Sequence, residues 1–157
     1  MEALRHIVVG TDFSECAERA LDTALTLAAL GPTRITLLHV CELSAELGLP
    51  DELATPAVDK ELIRICGEHL AGALARRGGC GVELAGVLRS GKPWEKINNV
   101  AAEVGASLIV IGRSGAGRGA VADLGNVASL VLRTASRPVL TVAGEPRAAF
   151  PRSVESP

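Results

Sequence analysis

Aromatic side chains are nearly missing from this chain: Phe13, Phe150 and Trp94 are the only ones among 157 residues, and there is no tyrosine. Proteins that hold single-stranded nucleic acid usually stack bases on aromatic platforms, and that device is out of reach here. A basic excess is missing too. The formal net charge is −2 and no dense run of Lys and Arg occurs, so little is available to neutralise a phosphate backbone. Cys16, Cys41, Cys66 and Cys80 are spread along the chain without a CxxC pair or a Cys/His cluster, so neither a zinc site nor a redox motif has its usual spacing. These thiols read as buried or idle. No apolar run approaches the ~20 residues of a membrane span, and the apolar part of MEALRHIVVG is too short for the core of a secretory signal. The expectation is a cytoplasmic protein with neither nucleic-acid nor membrane partners. GxxxxGK[ST] is absent, which excludes a P-loop ATPase, and so are HxGH and SGGxDS, the signatures of adenylyl-transferring enzymes.

What the chain does have is 48% hydrophobic residues arranged in alternating strand and helix patterns. A chain of this length forms one domain, burying roughly 70% of its unfolded surface. Short β-branched or continuous apolar runs predict strands over 6–10, 34–40, 82–88, 107–112 and 138–143. Between them, apolar stripes at helical spacing predict helices. The first starts at Ser14 as N-cap, with Glu15 and Glu18 in its first turn, and stops at Gly31-Pro32. The second runs from about Ala57 to Arg77. The third has Pro93 in its first turn and ends at Gly105, and the last covers Gly125 to Thr134. The polar, proline-punctuated connection 41–56 suggests a lid or flap, and 144–157 carries three prolines. The chain therefore reads as a domain over 1–144 and a loose C-terminal tail over 145–157.

Strands alternating with helices predict a single-domain, doubly wound, five-stranded parallel sheet with helices on both faces. In such sheets ligands bind beyond the carboxyl ends of the strands. Three features reach that edge: Gly10-Thr11-Asp12 after the first strand, Val40 and Cys41 after the second, and a glycine-dense loop after the fourth.

That loop lies within LIVIGRSGAGRGAVADLGNVASLVL, Leu108 to Leu132, where Gly112, Gly115 and Gly125 form GxxGx9G. Glycine lets main-chain N–H groups approach a ligand closely, and the helix that follows offers unpaired N–H groups at its positive dipole end. An anion is the natural guest. Arg113 and Arg118 add positive charge to a loop with one acid, Asp123; each either pairs with phosphates or is a solvated surface residue. Asp12 would repel a phosphate, so a binding role means hydrogen bonds to a ribose or ligation of Mg²⁺ beside the phosphates, and the alternative is helix capping beside Ser14. His39 reads as a core or interface histidine, His6 and His69 have no motif around them, and packing is the default role of Trp94.

In IVVGTDFSECAERAL and IVIGRSGAGRGAVADLGNVASLVLRTASRPVLTV the chain resembles the universal stress protein family over residues 5–143. The resemblance implies the adenine nucleotide alpha hydrolase-like arrangement of the sheet. The family's ATP-binding members show GxxGx9G followed by Ser or Thr; here the glycines fit, and Asn126 follows, whose longer amide can also donate. By the resemblance, Thr11 and Asp12 match the acidic segment after strand one, and Val40 the position whose main chain meets adenine. Gly112, Arg113, Ser114 and Gly115 match the first half of the phosphate loop, and Gly125, Asn126 and Val127 the second. The resemblance also implies homodimers joined through the last strand, Pro138 to Ala143.

The function expected is that of an ATP-binding regulatory stress-response protein, acting as a nucleotide-dependent switch on an unknown protein partner. ATP, or ADP or AMP, is the expected ligand, with Mg²⁺ held indirectly by Asp12. Two alternatives stay open: slow ATP hydrolysis or self-phosphorylation, for instance on Ser114, in the same pocket, and a dimeric scaffold with an empty pocket.

Overall fold

The computed structural model describes residues 3–114 and 124–144; Gly115, Arg118 and Asp123 of the glycine loop, and the tail 145–157, lie outside the described residues. In chain order the elements are β1 His6–Gly10, α1 Glu15–Ala28, β2 Arg34–Cys41, α2 Ser44–Leu47, α3 Pro56–Ala75, β3 Glu83–Ser90, α4 Pro93–Val104, β4 Leu108–Gly112, α5 Asn126–Thr134 and β5 Val139–Val142. All neighbouring strands pair in parallel, in the order β3-β2-β1-β4-β5.

The expected doubly wound sheet with helices on both faces is what forms. Alternation along β1 shows why: Ile7 and Val9 enter one core with Leu21 of α1 and Leu70 of α3, while Val8 enters the other with Val100 of α4 and Val131 of α5. Burying a side chain the size of Leu21 is worth about 2 kcal/mol. Alanines at 17, 20, 24 and 28 keep the buried stripe of α1 thin, so its backbone lies close to the sheet.

Local chemistry sets the helix ends. Ser14 Oγ accepts from the Ala17 amide at 3.3 Å, as its position before two glutamates predicts, and Thr55 Oγ1 does the same for Val58 at 3.2 Å. Pro93 begins α4, and Gly105, with φ 63°, ends it. Several boundaries differ from the sequence reading: α3 stops at Ala75 and β3 runs from Glu83 to Ser90, for example. Helix α1 ends at Ala28, so Gly31-Pro32 belongs to the turn after it. Strand β2 runs one residue further, to Cys41, because β3 pairs with it all the way to Cys41 opposite Ser90.

The connection 41–56 is also not wholly irregular. Residues Ser44–Leu47 make the single turn α2, with the Glu46 carboxylate accepting from the Leu43 amide at 3.0 Å and Gly48, φ 64°, terminating it. The Asp59 carboxylate accepts from the Ser44 amide at 2.9 Å and ties this turn to α3. A one-turn helix has no periodicity for a sequence pattern to reveal.

The order β3-β2-β1-β4-β5 places the topological switch between β1 and β4. Chain leaving one of them turns to one side and chain leaving the other turns to the opposite side, which opens a crevice at their carboxyl ends.

Candidate functional site

A cavity of about 480 Å³ occupies that crevice, within the range of roughly 300–1,000 Å³ usual for small-molecule sites. Its walls come from segments far apart in the chain. Gly10, Thr11 and Asp12 follow β1, Leu38 to Val40 and Glu42 come from the end of β2, and Gly112, Arg113 and Ser114 follow β4. Gly125, Asn126 and Val127 open α5, Leu47 reaches in from α2, and Pro93 and Ile97 come from α4. Of the ten residues singled out in the sequence, all line this cavity except Gly115, which lies outside the described residues.

The turn after β1 is held from several sides. The Thr11 amide donates to the Leu38 carbonyl at 2.8 Å, extending the β1–β2 ladder by one bond. Thr11 Oγ1 accepts from the Phe13 amide at 3.0 Å, and Asp12 Oδ1 accepts from the Ser14 amide at 3.0 Å. The Asp12 carboxylate thus supports the turn into α1, and the residue also stands at the cavity wall. Phe13 sits at φ 64°, in the left-handed region that costs a non-glycine residue about 1 kcal/mol or more. What keeps it there is packing: its ring lies 4.4 Å from that of His39 and meets His69 edge-on at 5.5 Å.

His39 lines the cavity, whereas the sequence reading made it a core or interface histidine. Its Nδ1–H donates to the Thr11 carbonyl at 2.7 Å, which fixes the tautomer and leaves Nε2 as the acceptor. Burial holds the imidazole below its ordinary pKa, against the Thr11 carbonyl and the Asp12 carboxylate, which pull it up. Glu42, Leu47, Pro93 and Ile97 were likewise not singled out. Leu47 reaches the cavity only because α2 turns this largely exposed leucine toward it.

The glycine loop begins and ends on fixed backbone. The Arg113 amide donates to the Val142 carbonyl at 2.8 Å, and the Gly125 amide donates to the Arg113 carbonyl at 2.7 Å, closing the neck of the loop. Gly125 is the N-cap of α5, and the first turn of that helix carries no acidic residue to offset its positive dipole end. Gly112 has a second reason to be glycine. A Cβ there would lie 2.9 Å from Cys16 Cβ and 3.0 Å from the Cys16 carbonyl carbon, inside the first turn of α1.

Trp94 packs against the core between the sheet and α4/α5, as its default role predicts, while its neighbour Pro93 lines the cavity. Among the described residues no group of three or more His, Cys, Asp or Glu is gathered for a metal ion, and no helix is long and apolar enough to cross a membrane.

Comparison with known proteins follows this geometry. The model of the universal stress protein family matches residues 3–143. The chain is 30% identical over 148 residues to universal stress protein YxiE of Bacillus subtilis (strain 168), covering 87% of this chain and 97% of the relative. Among solved structures it is similar to hypothetical protein MJ0577, with a TM-score of 0.80 and 25% identity over 92% of this chain and 99% of the other. It is also similar to the universal stress protein from Archaeoglobus fulgidus in complex with dAMP, with a TM-score of 0.61 and 27% identity over 90% and 99% of the two chains. Match to the family model over nearly the whole sequence, and the sheet order and crevice that accompany it, make this chain a member of the universal stress protein family.

Proposed function

We propose that this protein binds an adenine nucleotide, ATP by preference, in the crevice between β1 and β4, and that it acts as a regulatory stress-response protein whose occupancy is read by a partner. The observation that carries the reading is convergence. Three segments as far apart as Asp12, Val40 and Gly125 line one cavity of nucleotide size at the topological switch. The phosphates would lie at the α5 N-terminus against the first-turn amides that begin at Asn126, with Arg113 and Ser114 beside them. The adenine would lie along the main chain at Val40. Thr11 and Asp12 would face the ribose. If Mg²⁺ accompanies the phosphates, Asp12 is the carboxylate placed to assist, and the remaining ligands would be phosphate oxygens and water. The dAMP bound by the relative from Archaeoglobus fulgidus supports an adenine nucleotide as the ligand class.

Homodimerisation through β5 belongs to the same reading. β5 is an outer strand of the sheet, and its Leu140 is 36% exposed, an apolar edge of the kind that pairs with another chain.

The test is isothermal titration with ATP, ADP, AMP and cyclic AMP, alongside mass spectrometry of any nucleotide released from purified protein by denaturation. ATP should bind the wild type. Gly125→Val should weaken binding about tenfold or more, the equivalent of roughly 1.4 kcal/mol, with an unchanged circular dichroism spectrum. Undiminished affinity in that folded variant would sink the assignment of the phosphate site.

A further inference from the structure

Cys41 closes β2 and Cys66 sits on α3, and the fold brings their Sγ atoms to 2.9 Å from each other. The other two thiols are engaged elsewhere: Cys16 Sγ lies 3.5 Å from Ser114 Oγ, and Cys80 Sγ donates to the Val82 carbonyl. The thiols read from the sequence as buried or idle thus include one pair in contact. We infer that Cys41 and Cys66 are an oxidisable pair, which hydroperoxides convert to an intramolecular disulfide that fastens the lid segment lying between them.

Geometry carries most of the argument. The sulfurs need to approach by less than about 1 Å to reach bonding distance. Both belong to regular elements, so their spacing is set by the packing of α3 on β2 rather than by a loop. Their accessibility differs in a useful way. Cys41 is 1% exposed, whereas Cys66 is half-buried, so an oxidant from solvent meets Cys66 first. Burial, and the neighbouring Cys66 thiol, push the Cys41 thiol up to about 12, so Cys41 is not the group that attacks a peroxide.

The chemistry balances in two steps. The Cys66 sulfur gives up its proton and attacks one peroxide oxygen, the O–O bond breaks, and the displaced oxygen takes up that proton, so the products are a sulfenic acid and an alcohol, or water when the oxidant is hydrogen peroxide. Cys41 Sγ then attacks the sulfenic sulfur; the S–O bond breaks, and the hydroxide that leaves takes the Cys41 proton away as water. Two thiols are oxidised and one hydroperoxide is reduced. The new bond closes a loop over 41–66 that contains α2, whose Leu47 lines the cavity, and its first member lies between Val40 and Glu42, both also on the wall. Any consequence for ligand exchange rests on the nucleotide reading above, whereas the disulfide and the fastening of the lid do not.

The experiment therefore uses the full-length reduced protein without nucleotide. Stoichiometric hydrogen peroxide should lower its intact mass by about 2 Da, and a non-reducing peptide map should show the Cys41 and Cys66 peptides joined. The oxidised protein should melt about 10 °C higher, as expected for closing a loop of this length, and amide exchange over 42–55 should slow about tenfold. Cys66→Ser should lose neither mass nor exchange rate, and Cys41→Ser should instead hold a Cys66 sulfenic acid that dimedone traps. Cys66 converted to sulfinic or sulfonic acid, or joined to Cys80 or to a second chain, with no linked Cys41–Cys66 peptide in the wild type, overturns the pair. A linked peptide with unchanged exchange over 42–55 overturns the fastening of the lid.

Discussion

His39 concentrates several constraints in one side chain. Its Nδ1–H bond to the Thr11 carbonyl and its ring contact with Phe13 hold the turn that presents Asp12 to the cavity. Because burial depresses its pKa in the folded state, the neutral ring is favoured there relative to the unfolded chain. The unfolded chain then binds more protons in the window at and below the ordinary value near 6.5, so stability is fully present above that value and is lost as pH falls through the window. His6, held below its ordinary value by burial and by Arg34, contributes with the same sign. Urea denaturation from pH 7.5 to 5 should show stability declining on acidification, and His39→Asn, which keeps a donor for Thr11, should decline less. A wild type and variant that run parallel across that range would contradict the role given to His39. At Gly112 the constraint is steric. Gly112→Ala would push a methyl group against the Cys16 backbone, which gives only by moving α1, and should cost about 1–3 kcal/mol. A wild-type denaturation midpoint in that variant would count against it. Neither role has a sequence signature: a histidine inside an apolar strand and a glycine inside a ligand-like motif each look the same whether they face a core, a helix or a cavity.

At the level of elements, the strands and long helices were legible because their periods are long enough to be counted. β4 reads as a continuous apolar run because both its faces are covered, β1 as a short β-branched one, and α1 and α4 show their stripes together with Ser14, Pro93 and Gly105 as end signals. Helix α2 was not legible, since a single turn has no period to count and its tie to Asp59, fifteen residues from Ser44, is made across space. That anchoring is testable. Asp59→Ala should remove the bond to the Ser44 amide, costing about 1 kcal/mol, and speed amide exchange of 43–48 while leaving exchange in the central strands unchanged. Exchange in α2 at the wild-type rate would show that this turn is held by something other than Asp59.

For the whole molecule, an outer β5 with Leu140 36% exposed and Leu132 of α5 45% exposed predicts a second copy along that edge. Sedimentation should give a dimer for the wild type and a monomer for Leu140→Lys, with little change in the circular dichroism spectrum; a variant that stays dimeric places the interface elsewhere. The alternation of strand and helix, the absence of aromatic platforms and basic runs, and the spacing of Gly112, Gly115 and Gly125 could be read from the chain because each is a local property of residue order. With them came the fold class, and the resemblance to the universal stress protein family supplied nine described residues of the cavity wall. His39 and Leu47 on that wall, the second role of Gly112, and the meeting of Cys41 with Cys66 came from folding alone. They depend on which residues of β2, α1, α2 and α3 are pressed together once apolar faces are buried, and a one-dimensional pattern carries no record of distance between faces.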